Sequence, residues 1–138
     1  MIYTGEISLR TQADGEIIDI TPKVQKILAE SGITNGILTV FVPHSTCGIT
    51  TVEYEPGLIE DLGQAWERLA PKNIPYGHDA HWGDGNGCAH VRASLLGASL
   101  TVPFTDKKMV LGTWQQIILV DFDNRPRART VAVQVMGE

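Results

Sequence analysis

Cysteine is scarce in this chain: Cys47 and Cys88 are the only two among 138 residues. That count excludes a disulfide scaffold of the kind small secreted domains rely on, and it predicts a cytoplasmic protein with both thiols reduced. No apolar run is long enough to span a bilayer, so no membrane association is expected. The opening segment, "MIYTGEISLRTQADGE", has no apolar stretch that reads as a secretory signal. Positive charge is also in deficit, with 11 Lys and Arg against 16 Asp and Glu, a net charge of −5. Nucleic acid is therefore excluded as the main partner, because neutralising phosphates along a strand needs a basic face. A local basic pocket for a small anion remains compatible with this balance.

What is present describes a globular chain. The hydrophobic fraction is 43% and the charged fraction 20%, and the length suits a single domain, 1–138, with one core. "EISLRT" alternates as a half-buried strand, and "GEIIDI" reads as its partner across a turn at Asp14-Gly15. Thr21-Pro22 reads as a hydroxyl N-cap with proline at the first helical position. Val24, Ile27 and Leu28 form the apolar stripe of that helix, and Gly32 ends it. "GILTVFVP" and "GITTVEY" have strand composition. Leu58, Ile59, Leu62, Ala65, Trp66 and Leu69 follow the rhythm of an amphipathic helix. Residues 72–87 show no periodicity and read as a long loop, of a length that marks a functional or a disordered segment. A short helix capped by Asn86 follows through "CAHVRASLLG". Strands are expected at "SLTVPFT", "MVLGT", "QQIILVDF" and "ARTVAVQVM". The pattern predicts an α+β fold of mainly antiparallel sheet with two longer helices and one short one. The runs Ile117–Val120 and Val131–Val135 read as buried on both faces, which in so small a domain points to cover from another subunit.

The chemistry concentrates in "HDAHWGDGNGCAH", which holds His78, His81 and His90, three of the four histidines, together with Gly83, Gly85 and Gly87. Neutral imidazole is the commonest protein ligand for zinc-like ions. His44, His78 and His90 are the metal candidates, although their spacing matches no standard zinc signature. His81, beside Trp82, is the spare. Gly85 and Gly87, leading into a helix start, are positioned to offer backbone amides to an anion. Cys88 admits three readings: a buried small residue, a thiolate ligand, or a nucleophile activated by His90.

The stretches "PHSTCGITTVEYEP", "GHDAHWGDGNGCAHVRASLLGASLTVP" and "LGTWQQIILVDFDNRPRARTVAVQ" resemble those of the YjbQ-like proteins, a family without an assigned physiological reaction, over nearly the whole chain. The resemblance implies an α+β fold, a compact homotrimer and a site built on histidines. It also implies a weak, secondary thiamine-phosphate synthase activity, which a bacterial relative is credited with. The family's His-Thr-Ser motif falls on His44, Ser45 and Thr46, here in the order His-Ser-Thr. Its acidic residue falls on Glu53, its Tyr-x-His step on Tyr76 and His78, and its pre-helix histidine on His90. Cys88 stands where some relatives carry histidine.

Two functions from different classes follow. In the first, a divalent metal, zinc-like or Mg²⁺, is held by His44, His78 and His90 in an enzyme acting on a phosphorylated small molecule. Glu53, Ser94 and His44 are its catalytic candidates, Glu53 as a general base. Gly85, Gly87, Ser45, Thr46, Arg92 and Arg129 are candidates to hold phosphate, with Trp114 and Gln115 positioned for a heterocycle. The reaction is either thiamine-phosphate formation or a metal-assisted hydrolysis; Mg²⁺ prefers oxygen ligands, so a histidine cluster suits the former poorly. In the second, a non-catalytic trimer binds a small anion or metal in the same pocket. Each residue also has a plain structural alternative: hydrogen-bonded loop histidines, a solvated Glu53 or Arg92, a buried Trp114.

Overall fold

The computed structural model describes residues 1–138. Eight strands and four helices follow in the order β1 (Ile2–Thr11), β2 (Glu16–Asp19), α1 (Thr21–Ser31), β3 (Gly36–Phe41), β4 (Cys47–Val52), α2 (Pro56–Leu69), α3 (Gly77–Trp82), α4 (Gly87–Leu96), β5 (Ser99–Thr105), β6 (Lys108–Met109), β7 (Gln116–Asp121) and β8 (Arg127–Gly137). They form a five-stranded sheet of order β1-β8-β3-β5-β6 and a three-stranded sheet of order β2-β7-β4. All pairings are antiparallel, so the α+β antiparallel architecture expected from the sequence is what the chain adopts. No helix is long and apolar enough to cross a membrane.

Alternation along the strands decides the layering. In β8, Val131, Val133 and Val135 are fully buried, with Leu38 and Val40 of β3 beside them and α1 contributing Val24, Ile27 and Leu28 to the same core. Ile117 and Leu119 of β7 enter that core too, while Ile118 and Val120 point the other way, onto Ala89 and Ala93 of α4 and Phe122. Trp66 of α2 meets Phe122 edge-on at 5.3 Å between ring centroids. The layers are thus the five-stranded sheet, then α1 with the three-stranded sheet, then α4 and α2.

Several local expectations are corrected. The run Ile117–Val120 is two-sided, but α4 of the same chain covers its second face. β8 is buried on one face only, its alternate residues Ala132, Gln134 and Met136 being part-exposed or exposed. β2 does not pair with β1. It pairs with β7, because Asp14 and Gly15, both at positive φ, donate their amides to Asp123 and Asp121 carbonyls and carry the chain into the other sheet. The Thr21 hydroxyl does not cap α1; it accepts the Ile117 N–H at 2.7 Å, which joins the helix start to β7. Gly32 does end α1 in a left-handed conformation. The strand expected at "MVLGT" shrinks to Lys108–Met109, and the loop expected at 72–87 contains α3, making four helices rather than three.

Gly48 of β4 sets how close α4 lies. A Cβ there would sit 2.5 Å from Leu96 Cδ2 and 2.9 Å from its Cβ. Gly48→Val is therefore expected to cost about 1–3 kcal/mol by overpacking. Pairing it with Leu96→Ala should recover part of that loss. Urea denaturation of the two single variants and the double variant measures the coupling, and strictly additive effects would show that the close approach is not what makes glycine necessary.

Candidate functional site

One cavity of about 360 Å³ is lined by a single proline and otherwise by polar residues: Pro43, His44, Ser45, Thr46, Asp84, Asn86, His90, Asp123, Arg127 and Arg129. Three chain segments build it. The first is the turn between β3 and β4, residues 43–46. The second is the glycine stretch entering α4. The third is the end of β7 with the start of β8, where the period of two sends Arg127 and Arg129 to the same face.

Arg129 anchors the floor. It is buried, its Nε donates to Asp121 Oδ2 at 2.7 Å, and its Nη2 donates to Asp121 Oδ1 at 3.1 Å, Asp123 Oδ2 at 3.3 Å and Thr46 Oγ1 at 2.8 Å. Thr11 adds its hydroxyl to Asp121. Burial alone would push the Asp121 carboxyl up, but the bonds from Arg129 and Thr11 and the Asp123 amide hold it below the usual carboxylate range. Asp123 is likewise held low, its burial outweighed by hydrogen bonds that include Thr46. Thr46 and most of the Arg129 guanidinium are therefore committed to structure. Arg127 is freer: its Nε lies 3.2 Å from Asp123 Oδ2 but is not aligned for a hydrogen bond.

His44 is tuned by two contacts. Its Nε2 accepts the Thr130 N–H at 3.1 Å. A neutral imidazole has one lone pair and one N–H, so this bond assigns the proton to Nδ1. Desolvation, then the Arg129 charge, lower its pKa below the ordinary value, which keeps it neutral. His44 thereby has no free lone pair for a metal; it offers an N–H. Of the three imidazoles expected to hold a metal, His44 therefore turns its lone pair to the Thr130 amide, while His78 and His90 lie against each other.

The other two histidines lie together. His78 and His90 have ring centroids 4.3 Å apart, with His90 on the cavity wall. The close donor group is instead His78, Asp79 and Asp84, whose ligand atoms all lie within 4.8 Å of one another. His78 Nδ1 is shielded from solvent without a hydrogen-bond partner, 3.6 Å from Asp79 Oδ1 and 3.4 Å from Asp84 Oδ1. Those carboxylates are fixed from behind: Asp79 accepts the Gly87 N–H at 2.7 Å and Asp84 the Asn86 N–H at 3.1 Å. Asp79 and Asp84 were not legible as site residues, because nothing in the spacing shows that the turn after α3 brings Asp84 back to His78 and Asp79.

The same bonds correct the reading of the glycines. The Gly87 amide serves Asp79 and is not free for an anion. Gly87 has no positive φ; glycine is required there because a Cβ would lie 2.6 Å from Tyr76 Cβ. Gly85 does take a left-handed φ of +70 and faces a separate small cavity with Cys88 and Arg92. Asn86 caps no amide of α4 with its side chain; its Oδ1 accepts the Asn124 N–H. Arg92 is buried away from the histidines, donating from Nε to the Ala70 carbonyl at 3.0 Å and pairing with Glu67 at 2.8 Å, so it ties α4 to the end of α2. Ser94 is exposed and donates back to the His90 carbonyl. His81 stacks edge-on against Trp82. The Cys88 thiol is buried and donates to the Ala70 carbonyl at 3.3 Å, the structural one of its three readings. Cys47 is buried as well, its thiol pushed up to about 12 by desolvation and then by the Asp121 charge.

Glu53, Trp114 and Gln115 are not at the cavity. They follow the opposite end of the three-stranded sheet: Cys47 pairs with Asp121 at the cavity end of β4, and Val52 pairs with Gln116 at the other. Six strand residues span about 20 Å. There Glu53, Tyr54, Trp114, Thr113 and Asp19 line a second, open depression of about 480 Å³. Gln115 is occupied locally, accepting the Gly112 N–H and donating to Thr51.

The protein is thus an antiparallel α+β domain whose polar cavity brings an N–H-bearing imidazole and the Arg127 guanidinium close to a His–Asp–Asp group. The family model for UPF0047 protein YjbQ-like matches residues 5–138, and the chain belongs to that family. It is 45% identical to a UPF0047 protein of Methanothermobacter thermautotrophicus, over 99% of this chain and 94% of that one. It is 37% identical to UPF0047 protein YugU of Bacillus subtilis, over 95% and 97%. Among solved structures it is similar to a YbjQ-like protein of unknown function from Sulfolobus solfataricus, with a TM-score of 0.90 and 34% identity over 100% of both chains. A YjbQ/UPF0047 family protein of Clostridium acetobutylicum superposes at 0.86 with 39% identity, over 95% and 98%.

Two outcomes test this arrangement. Arg129→Met leaves Asp121 buried without its counter-charge and Asp123 with Arg127 alone, and should cost about 3–5 kcal/mol in urea unfolding; a loss below about 1 kcal/mol would show the network to be incidental. For His44, the folded state resists protonation relative to the ordinary value of 6.5. As pH falls below that value the unfolded chain takes up the proton first, so stability falls with pH there. His44→Asn should flatten this slope in pH-dependent unfolding, and an unchanged slope would remove the basis for a neutral His44.

Proposed function

We propose that the protein is a divalent-metal-binding enzyme acting on a phosphorylated small molecule at the cavity of His44, Ser45, His90 and Arg127. The observation that supports this most is the division of labour across one polar space. His44 Nδ1–H, the Ser45 hydroxyl and the Arg127 guanidinium are donors suited to a phosphate. His78 and Asp79, next to His90, and Asp84 on the cavity wall are donors suited to a divalent ion. Mixed nitrogen and carboxylate ligands accept zinc, manganese or magnesium, and the amides of Gly87 and Asn86 orient both carboxylates as outer-shell partners do. Such an ion supplies Lewis acidity and charge neutralisation next to the phosphate. His44 holds its proton toward the phosphate, Arg127 holds the anion's charge, and Arg129 keeps the floor rigid.

Metal-assisted hydrolysis suits the cavity better than thiamine-phosphate formation. The latter joins two heterocycles, and the cavity lining has no aromatic wall beyond its imidazoles; Trp114 stands at the far end of the sheet. Assembly as a homotrimer belongs to the same proposal. Ile2, Ile37, Phe41 and Met136 are exposed on the outer face of the five-stranded sheet, and Ile2, Met136 and Ile37 are in register as one apolar row. A row of that kind is suited to burial against another copy.

Calorimetric titration tests the site. Zn²⁺ or Mn²⁺ should bind the wild type, and His78→Ala and Asp84→Asn should each weaken it at least about tenfold. His44→Ala should spare the metal and weaken inorganic phosphate. Wild-type affinity for metal in both His78→Ala and Asp84→Asn would remove the metal assignment. Metal and phosphate binding without turnover of any phosphate ester would leave a binding protein in place of an enzyme.

A further inference from the structure

Behind the glycine turn lies a smaller cavity, of about 100 Å³, that the proposed chemistry leaves unused. Liquid water takes about 30 Å³ per molecule, so the space holds about three waters or one tetrahedral oxyanion. A sugar phosphate does not fit. Its wall is rich in donors. Arg92 lines it with a side chain only 8% exposed. The Arg92 Nε and Nη2 are bonded to the Ala70 carbonyl and to Glu67, and Nη1 makes no hydrogen bond within the chain. Glu67 stands outside the lining, and its other oxygen accepts the Lys72 N–H. Lys72 adds an ammonium, 3.7 Å from Asp14 Oδ1. Both side chains of that pair are half-exposed, so it is weak. The Gly85 N–H has no acceptor in the chain. Asn124 Nδ2 donates one hydrogen to the Asp84 carbonyl and keeps a second. Against these donors, the lining holds one carboxylate, that of Asp14. Phe122 and Ala89 supply its apolar part, where a charged hydrogen bond is stronger than in water.

We propose that this cavity binds one small tetrahedral oxyanion, held by Lys72, Arg92 Nη1 and the Gly85 N–H, and that the anion fixes the turn carrying Asp84. That turn is the partition between two cavities. Asn86 lines both, and Asp84 lines the larger. Asn124 already braces the turn, giving its N–H to Asn86 Oδ1 and its Nδ2 to the Asp84 carbonyl. An anion on the Gly85 N–H adds a tie between Asp84 and Asn86 and holds the Asp84 carboxylate beside His78. Neither His44 nor Arg127 lines this space, so the anion is an effector and not the phosphate of a substrate. The effector role rests on the reading of His78, Asp79 and Asp84 as a metal group; anion binding does not. Coupling of this kind is reciprocal: anion favours metal as much as metal favours anion.

Sulfate is the probe, because its zinc salt is soluble. In amide-correlation NMR of the isotope-labelled chain, the Gly85 resonance should shift saturably as sulfate is added. Lys72→Ala should weaken that response at least about fivefold, and Asp14→Asn, which removes the competing carboxylate, should tighten it. His44→Ala and Arg127→Ala should leave it in place, and glucose phosphate should not compete with sulfate there. No saturable shift in the wild type, a response unchanged in Lys72→Ala, or one lost in His44→Ala or Arg127→Ala would overturn the site. Zn²⁺ titrated calorimetrically into Arg127→Ala measures the coupling without sulfate in the larger cavity. Saturating sulfate should raise Zn²⁺ affinity at least about fivefold, and adding Lys72→Ala to that variant should abolish the gain. Equal Zn²⁺ affinity with and without sulfate would overturn the effector role. If Zn²⁺ does not bind at all, the metal reading fails and the effector role falls with it, while the Gly85 shift still decides the anion site.

Discussion

The buried fork from Arg129 to Asp121 is the constraint on which the rest depends. Arg129 belongs to β8 of the large sheet and Asp121 to β7 of the small one, so this ion pair, with the Thr11 hydroxyl bond to the same carboxylate, clamps two sheets whose faces meet through apolar side chains. Through Thr46 and Asp123 the same guanidinium also fixes the turn that carries His44 and Ser45. Such a pair is weak evidence for net stability, since desolvating both charges offsets most of their attraction. Its value lies in direction. A guanidinium with several planar donors accepts one arrangement of carboxylates, which sets the angle at which the strands of the two sheets approach.

A second effect follows from the same fork. The Arg129 charge, added to burial, keeps His44 neutral, and the Thr130 amide selects its tautomer. Neither partner is near His44 in sequence. The His78, Asp79 and Asp84 group stands apart from it, with both aspartates held by helix-entry amides. The fold therefore separates the His44 N–H from that group, although the sequence presents the histidines as one cluster.

How far the chain could be read from its sequence divides along physical lines. Continuous apolar runs such as Ile117–Val120 and the three-four stripe of α2 are local signals, and they located their elements. The family motif was legible at His44, Ser45 and His90, which do share a wall. What was not legible depends on pairing at a distance. β2 joins β7 because two amides near Asp14 find carbonyls more than a hundred residues away. Arg92 looked like a free cation and is consumed at the end of α2. Gly87 looked like an anion cradle and is instead the place where Tyr76 presses on the backbone. Glu53 lies a few residues beyond a strand that starts beside His44, yet that strand carries it to the opposite end of the sheet. Short sequence separation along an extended segment means distance, not proximity.

The two thiols carry a practical consequence. Cys47 holds its proton up to about 12 and Cys88 spends its own on a carbonyl inside the fold. Alkylation and disulfide exchange require an accessible thiolate, so the folded chain should be inert to both chemistries. A single cysteine placed on the surface would then be the one reactive thiol of the native protein. Fluorophores or spin labels could be attached there to follow the chain in mixtures, with no native cysteine removed first.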